Sequence, residues 1–539
     1  MDDSRAGAAG TDDASRQGLL DPAFETRCAA LATLKESVAA GDESSTDRQH
    51  QRGRLTVPER LELLLDKGSF RELQSLRRRP QTIDAGLSDS RPHSDGVVTG
   101  WGTVDGRTVY VYASDFRIMG GSLGATHAAK IHRVMDLAES AGAPLISLND
   151  GAGARIQEGV AGLNGYGGIF LRNVRASGVI PQISVVLGPC AGGAAYSPAL
   201  TDVVFMVRGV SHMFLTGPDV VRAVTGDPES VSLEDLGGAD MHGSVSGLAQ
   251  FVFDDEADCL AEVRRLISFL PANNRTPSPE YLFTDPVDRR NDPLTDLVPT
   301  HSASCYDMLD VIEEIVDDGD FLQVHEDWAR NVLCGLARVG GETIGIVANQ
   351  PAHLAGVLDT HASEKAARFV RWCDAFNIPL LTLVDVPGFL PGIDQERNGV
   401  IRHGAKLLHA YCEATVPRVQ LILRKAYGGA YIVMDSPAIG CDLALAWPTS
   451  EIAVMGPEAA AEVLFRRSIA AAPDPQAARA RYAQQYRDQL MHPLHAAEAG
   501  YVDDIIDPRD TRRIIAEAFE LLRAKKASCA QRKHSISPL

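Results

Sequence analysis

Two glycine pairs are the residues of this sequence best suited to chemistry. Gly192 and Gly193 lie in ISVVLGPCAGGAAYSPAL, and Gly428 and Gly429, followed by Ala430, lie in VQLILRKAYGGAYIVM. A strand followed by a helix of small residues would place each pair at a first helical turn, where backbone N–H groups lack intrahelical partners. Glycine has no Cβ, so a ligand oxygen can approach, and the helix dipole adds partial positive charge. Each pair predicts an oxyanion hole, although one isolated pair could equally be a tight turn that needs glycine for packing.

The oxyanion-hole interpretation is favoured because the two pairs occupy matching places in an internal repeat. The predicted hairpin turn Val104–Thr108 recurs 235 residues later as Val339–Thr343, and strands ending at Asp150 and Asp385 also correspond. The segments IPQISVVLGPCAGGA and VPRVQLILRKAYGGA match at an offset of 236. Alternating strands and helices predict two layered α/β domains of one architecture. Two holes would suit a reaction in which two substrates each develop charge on an oxygen.

Other candidate features carry less information. The loop from Gly151 to Gly159 and the repeat-related loop containing Gly388 could wall a ligand pocket or be plain loops. Cys190 lacks a G-x-S-x-G context and is interpreted as a small buried residue. The histidines show no metal-ligand spacing, so we expect no metal site.

Domain boundaries follow from composition. Thr56 and Glu59 form a predicted capping box at the start of a helical lead-in. The Pro- and Asp-rich stretch 271–299 predicts a linker between an N-terminal domain, 21–280, and a C-terminal domain, 285–530. Residues 1–20 and the basic tail after Lys525 are expected to be disordered.

Composition excludes several classes of protein. The chain of 539 residues has a net charge of −19, which disfavours nucleic acid as a partner. Its nine cysteines include no C-x-x-C pair, so zinc and disulfide frameworks are not expected. The sequence has no apolar run long enough for a membrane span and no secretory signal, which predicts a cytoplasmic protein.

Several long segments make the chain resemble the acyl-CoA carboxylase β subunits of the propionyl-/acetyl-CoA carboxylase type. They are DGAGARIQEGV, GPCAGGAAYSPALTD, MFLTGPDVV, VANQPAHLAGVLD, SEKAARFVRWCDAFNIPLLTLVDVPGFLPG, RHGAKLL and RKAYGGAYIVM. The match runs from about residue 25 to 535, and motifs of this length and order are specific. The resemblance implies two tandem crotonase-like (ClpP/crotonase) domains, which agrees with the repeat.

The resemblance also implies a mechanism. Acyl-CoA would lie on the N-terminal domain, with its thioester oxygen held by the N–H groups of Gly192 and Gly193. Carboxybiotin would lie on the C-terminal domain, with its ureido oxygen held by Gly429 and Ala430. The biotin nitrogen would take the α-proton, so no side-chain base is required. The expected substrate-binding residues are Gly151, Gly153, Ala154, Arg155, Tyr196, Gly388, Phe389, Gly428 and Ile432.

The partners and cofactors are likewise expectations from the resemblance. It implies a ring of six subunits, with each active site formed by the N-terminal domain of one chain and the C-terminal domain of another. The sequence shows no Ala-Met-Lys-Met biotinylation site and no ATP-binding module, so biotin and biotin carboxylase would belong to an α subunit.

Substrate choice and reaction direction stay open at this stage. Ile432 suggests an apolar pocket for acetyl- to butyryl-sized acyl groups. The alternatives are a biotin-dependent decarboxylase or transcarboxylase subunit and a non-catalytic scaffold for an α subunit. A crotonase-type hydratase is disfavoured, because no pair of glutamates is placed for water addition.

Overall fold

The computed structural model describes Leu19 and residues 23–80, 91–225, 232–301, 304–527 and 532–538. The chain forms two compact units that divide between Ser268 and Phe269. The expected linker, 271–299, therefore lies at the start of the second unit. Residues 1–20, which were expected to be disordered, lie outside the described residues except for Leu19.

The first unit contains a mixed sheet of eight strands among its described residues, in the order β1-β2-β3-β4-β5-β6-β8, with β7 paired to β5. Pairing is antiparallel from β1 to β3 and parallel beyond. The strands are β1 Arg71–Leu73, β2 Val97–Val104, β3 Arg107–Ser114, β4 Leu145–Gly151, β5 Gln182–Ala191, β6 Val203–Val207, β7 His212–Phe214 and β8 Phe251–Phe253.

The first unit also contains helices, several of which pack against this sheet. They are α1 Phe24–Ala40, α2 Glu43–Gln51, α3 Val57–Leu64, α4 Ala125–Ala141, α5 Val160–Ala176, α6 Gly193–Ala199, α7 Pro218–Thr225, α8 Leu233–Gly237 and α9 Glu256–Phe269.

The second unit repeats the arrangement, with strand order β16-β14-β13-β12-β11-β10-β9 and β15 paired to β13. Its strands are β9 Phe321–Val324, β10 Val332–Val339, β11 Glu342–Asn349, β12 Leu380–Val386, β13 Arg418–Tyr427, β14 Leu443–Ala446, β15 Glu451–Ala453 and β16 Asp504–Ile505. Its helices are α10 Leu294–Leu297, α11 Met308–Ile315, α12 Thr360–Ala375, α13 Ile393–Arg397, α14 Val400–Glu413, α15 Gly428–Val433, α16 Pro457–Leu464, α17 Arg466–Ala470, α18 Pro475–Tyr486, α19 Pro493–Glu498 and α20 Thr511–Leu522.

Local sequence explains the repeated elements. Asp105 and Gly106 both have positive φ, as do Gly340 and Gly341, so each β-hairpin is closed by a two-residue turn. The predicted apolar helix faces are confirmed. Helix α4 buries Ile131, Val134, Met135 and Ala138, and helix α12 buries Ala366, Phe369, Val370 and Cys373.

The predicted capping box is also present. The Thr56 N–H and hydroxyl donate to Glu59 Oε2 at 2.7 and 2.6 Å, which fixes the start of α3. Burial alone would raise the pKa of Glu59, but these hydrogen bonds lower it to about 2.

Part of the tail that was expected to be disordered contacts α14, because the Ser535 hydroxyl donates to Glu413 at 3.0 Å. Within the described ranges, every helix is too short or too polar to cross a membrane.

Candidate active site

The first glycine pair forms the turn from β5 into α6. Gly192 has φ +59, a conformation that favours glycine, and its N–H donates to the Phe214 carbonyl of β7 at 3.0 Å. The Ala195 N–H donates to the Gly192 carbonyl at 3.1 Å. Gly193 and Ala194 therefore hold the first two helical positions, whose N–H groups have no i−4 partner.

The second pair forms the equivalent turn from β13 into α15. Gly428 has φ +63, and a Cβ there would lie 3.1 Å from the Val454 carbonyl oxygen. A Cβ on Gly429 would meet nothing within 4 Å, so the space beside this residue is open. The offset of 236 equates Gly429 with Gly193 and Ala430 with Ala194.

This equivalence corrects one expectation. Gly192 was expected to offer its N–H to a substrate, but that N–H is already hydrogen-bonded to Phe214. Its positive φ instead provides the turn that presents the next two residues. In the first unit, the counterparts of Gly429 and Ala430 are thus Gly193 and Ala194.

The loop after β4 lies beside the first turn. A Cβ on Gly153, which has φ +88, would lie 3.0 Å from the Ala191 carbonyl oxygen, at the end of β5. Gly151 is buried, and a Cβ there would lie 2.6 Å from the Gly121 carbonyl oxygen. Ala154 forms an isolated bridge with Leu123. Glycine at 151 and 153 thus allows close packing of this loop.

Arg155 was expected to bind substrate, and its surroundings argue against that role. It is 1% exposed. Its guanidinium forms ion pairs with Asp95 at 2.9 Å and Glu158 at 2.7 Å and donates to the Ser122 carbonyl at 2.9 Å. The side chain anchors the loop, and its charge is neutralised within the protein.

The loop after β12 is the repeat-related counterpart. Gly388 has φ +147, and its carbonyl accepts a hydrogen bond from the Leu358 N–H at 3.0 Å. Phe389 is half-buried and forms a bridge with Leu358. Its ring lies against α14, because a Cβ on Gly404 would be 3.0 Å from that ring.

Tyr196 and Ile432 are the exposed side chains that follow the two turns. They correspond at the offset of 236, and they are 50% and 42% exposed. The Tyr196 ring packs edge-on against Phe170, with ring centroids 6.0 Å apart. Both residues are therefore placed to contact a ligand near their glycine turns.

Each unit has a fully buried carboxylate at the end of the strand before its loop, Asp150 in the first and Asp385 in the second, and sequence inspection gave them no role. Asp150 accepts from Arg60 at 3.0 Å and Gln49 at 3.1 Å. Asp385 contacts Arg424 at 2.9 Å and the backbone N–H of Lys425 at 3.2 Å. Their position at the ends of matching strands was the signal in the sequence that could have identified them. Their side-chain partners Arg60, Gln49 and Arg424 are 90, 101 and 39 residues away in sequence.

The reactive side chains expected to be inert are buried or paired. Cys190 is 1% exposed and burial raises the pKa of its thiol, which confirms it as a buried residue. Burial also lowers the pKa of His127 to about 3. Across the described ranges, no cluster of three or more His, Cys, Asp or Glu side chains could hold a metal ion.

Comparisons with known proteins identify the family of this chain. The carboxyl transferase domain family matches residues 48–536. The propionyl-CoA carboxylase beta chain of Cereibacter sphaeroides is 54% identical over 93% of this chain and 97% of its own length. The methylmalonyl-CoA decarboxylase subunit alpha of Propionigenium modestum is 50% identical, covering 94% of this chain and 98% of its own.

A solved structure shows the same fold. Transcarboxylase 12S, a hexamer crystallised with methylmalonyl-coenzyme A and methylmalonic acid, superposes with a TM-score of 0.93. It is 47% identical, and the alignment covers 96% of this chain and 99% of that one. The chain therefore belongs to the carboxyl transferase family, as a carboxyltransferase subunit of the propionyl-CoA carboxylase type with two tandem crotonase-like α/β domains.

Proposed function

We propose that this subunit transfers a carboxyl group from biotin, carried by a partner subunit, to the α-carbon of a short acyl-CoA. The observation that carries the proposal is the pair of matching turns, at Gly193–Ala194 and Gly429–Ala430, which place first-turn N–H groups after equivalent strands. The first unit would take the acyl-CoA and the second unit the biotin. The transcarboxylase crystallised with methylmalonyl-coenzyme A supports an acyl-CoA as one of the substrates.

The two turns would stabilise the charge that develops during transfer. The N–H groups of Gly193 and Ala194 would bind the thioester oxygen, which becomes negative as the α-proton leaves. The N–H groups of Gly429 and Ala430 would bind the ureido oxygen, and the open space beside Gly429 leaves room for it. Carboxybiotin supplies the carboxyl group and, after releasing it, the nitrogen that accepts the α-proton. One such donor is worth about 2.7–4 kcal/mol of transition-state stabilisation.

The substrate class follows from the side chains beyond the turns. Ile432 presents an apolar surface next to the second turn, and Tyr196 presents an aromatic one next to the first. These side chains suit a small apolar acyl group, so acetyl-, propionyl- and butyryl-CoA are the proposed substrates. Gly151, Gly153, Ala154, Gly388 and Phe389 would line the adjoining loops.

A hexamer that works with a biotin carboxylase and biotin-carrier α subunit is the proposed assembly. Large apolar side chains are exposed near both turns, and such surfaces mark interfaces. They are Ile156, Val160, Leu163 and Leu215 in the first unit and Ile393, Ile401 and Val454 in the second. The hexamer assembly of the transcarboxylase supports the number of subunits. We propose that the first-unit face of one chain covers the second-unit face of another chain in this hexamer. The cytoplasmic location expected from sequence stays a prediction.

The second candidate is the reverse reaction, in a biotin-dependent decarboxylase or transcarboxylase. It is favoured by the 50% identity to a methylmalonyl-CoA decarboxylase subunit and by the transcarboxylase structure. The same two turns would serve either direction. A scaffold without catalysis would not need open space beside Gly429.

The test is steady-state carboxylation with the reconstituted α subunit, ATP and bicarbonate, using acetyl-, propionyl- and butyryl-CoA. ATP-dependent formation of malonyl- or methylmalonyl-type products is the expected result. Decarboxylation of methylmalonyl-CoA without ATP-dependent carboxylation would replace the proposal by the second candidate. If variants at Gly193 and Gly429 keep both the carboxylation and the decarboxylation activity of the complex, the scaffold role would be favoured.

A further inference from the structure

The residue directly before the second glycine turn is an aromatic side chain fixed on all sides. Tyr427 ends β13 and is 6% exposed. Its ring packs in an apolar cluster with Ala460, Tyr486 and Met491. Gly428 is the next residue, so a change in the position of the Tyr427 side chain also moves the backbone of the glycine turn.

The Tyr427 hydroxyl reaches a partly buried ion pair. It donates to Oε2 of Glu451, which lies on β15 and is in register with Lys425. Oε1 of the same carboxylate accepts from Arg487 Nε at 3.0 Å. Arg487 directly follows α18, so the Tyr427–Glu451–Arg487 network links the glycine turn to a helix outside the sheet. Burial and the neighbouring carboxylate raise the pKa of Tyr427, so the hydroxyl keeps its donor proton.

The first unit has the same backbone there but different side chains. Ala191 is the counterpart of Tyr427, and it pairs with Phe214 as Tyr427 pairs with Ala453. His212 is the counterpart of Glu451, and its Nε2 lies within hydrogen-bond distance of Glu234 Oε1, at 2.7 Å. An alanine methyl cannot donate a hydrogen bond to that pair. The two turns are therefore supported by different side chains.

We propose that the Tyr427–Glu451–Arg487 network is a positioning device for the second glycine turn, which holds the N–H groups of Gly429 and Ala430 in the geometry for the biotin ureido oxygen. The inference rests on the proposed function of that turn. Charge-assisted hydrogen bonds to a carboxylate are stronger than neutral ones and fix the position of both partners. Displacement of a catalytic group by about 1 Å can cost on the order of 100-fold in rate.

The test is carboxyl transfer from methylmalonyl-CoA to free biotin by the full-length chain, with KM measured separately for each substrate. Tyr427→Phe keeps the ring and removes the hydroxyl. We expect about a ten-fold fall in kcat/KM for biotin, with KM for the acyl-CoA changed less than about two-fold. Glu451→Gln keeps an acceptor for Tyr427 and should give a smaller loss. Tyr482→Phe, whose ring stacks on Phe465, is the matched control and should behave as wild type.

Each other outcome has a defined meaning. Unchanged kinetics in Tyr427→Phe, or a change in both KM values together with a lower thermal midpoint, would overturn the positioning role. A wild-type chain that shows no transfer would instead contradict the proposed function, whatever the variants do.

Discussion

Lys130 and Lys365 occupy the same position in the two units, and both are buried with no carboxylate of the described residues in hydrogen-bond contact. Lys130 Nζ donates to Ser94 Oγ at 3.1 Å and to the Val97 carbonyl at 2.5 Å. Lys365 Nζ donates to the carbonyls of His325 and Trp328, both at 2.9 Å. Each lysine therefore holds together a chain segment that contains positive-φ residues, Ser94 in one unit and His325 in the other.

Removing these ammonium groups should destabilise the fold. Lys130→Met or Lys365→Met leaves buried carbonyls without donors, and we expect a loss of roughly 2–5 kcal/mol in the free energy of unfolding. Urea unfolding followed by circular dichroism measures the loss. Lys67→Met, at an exposed position, is the control and should change stability little. A loss equal to that of the control would show that these donors are dispensable.

The same lysines should make stability depend on pH. Burial lowers the pKa of each to about 8, partly offset by Glu72 and Asp95 near Lys130 and by Cys334 and Glu326 near Lys365. The ordinary pKa of a lysine side chain is 10.5, so the unfolded chain binds more protons than the folded chain between pH 8 and 10.5.

The lysine contribution to the free energy of unfolding should therefore rise from pH 8 to 10.5 and stay constant below about pH 7. The difference between wild type and the methionine variants, measured by urea unfolding at several pH values, isolates this contribution. A difference that falls over that range would contradict the burial argument.

Gly429 allows a direct test of ligand access. A Cβ at this position meets no protein atom within 4 Å, so Gly429→Val should fold normally and obstruct the ligand instead. We expect a fall in kcat/KM for carboxyl transfer of at least about 100-fold with an unchanged thermal midpoint. Gly167→Val, also in open space but on α5, is the control. Full activity in Gly429→Val would remove this turn from the mechanism.

Ile432 should influence the choice among acyl groups. Ile432→Asp replaces an apolar surface with a charge. We expect the kcat/KM ratios among acetyl-, propionyl- and butyryl-CoA to change by an amount that corresponds to more than about 1 kcal/mol in activation free energy. Steady-state carboxylation of the three substrates measures the ratios. Leu490→Asp, at another exposed apolar position, should leave them unchanged. Identical ratios in Ile432→Asp and wild type would assign specificity elsewhere.

Much of the architecture could be predicted from sequence because it depends on local patterns. The hairpin turns at Asp105–Gly106 and Gly340–Gly341 were predictable from short-range turn chemistry, and the buried face of α4 from helical periodicity. The capping box at Thr56 and Glu59 was predictable because both partners lie within one helical turn. The duplication added a second copy of the hairpin and helix signals.

The site details depended on partners that are distant in sequence. Gly192 loses its N–H to Phe214 across a strand pair, so the first donor pair shifts to Gly193 and Ala194. Arg60 reaches Asp150 from a helix 90 residues earlier. The Asp150 carboxylate itself occupies the space left by Gly188, where a Cβ would lie 1.9 Å from it. In the second copy, Arg424 of the strand itself fills this role.

Sequence alone thus determined the repeated units, their turns and the residue types at the two glycine pairs, because these follow from short-range backbone preferences. Only the tertiary structure decided which N–H groups stay available and which charges are neutralised. Those outcomes depend on long-range strand register and packing, and residues that share one local motif can meet different neighbours there.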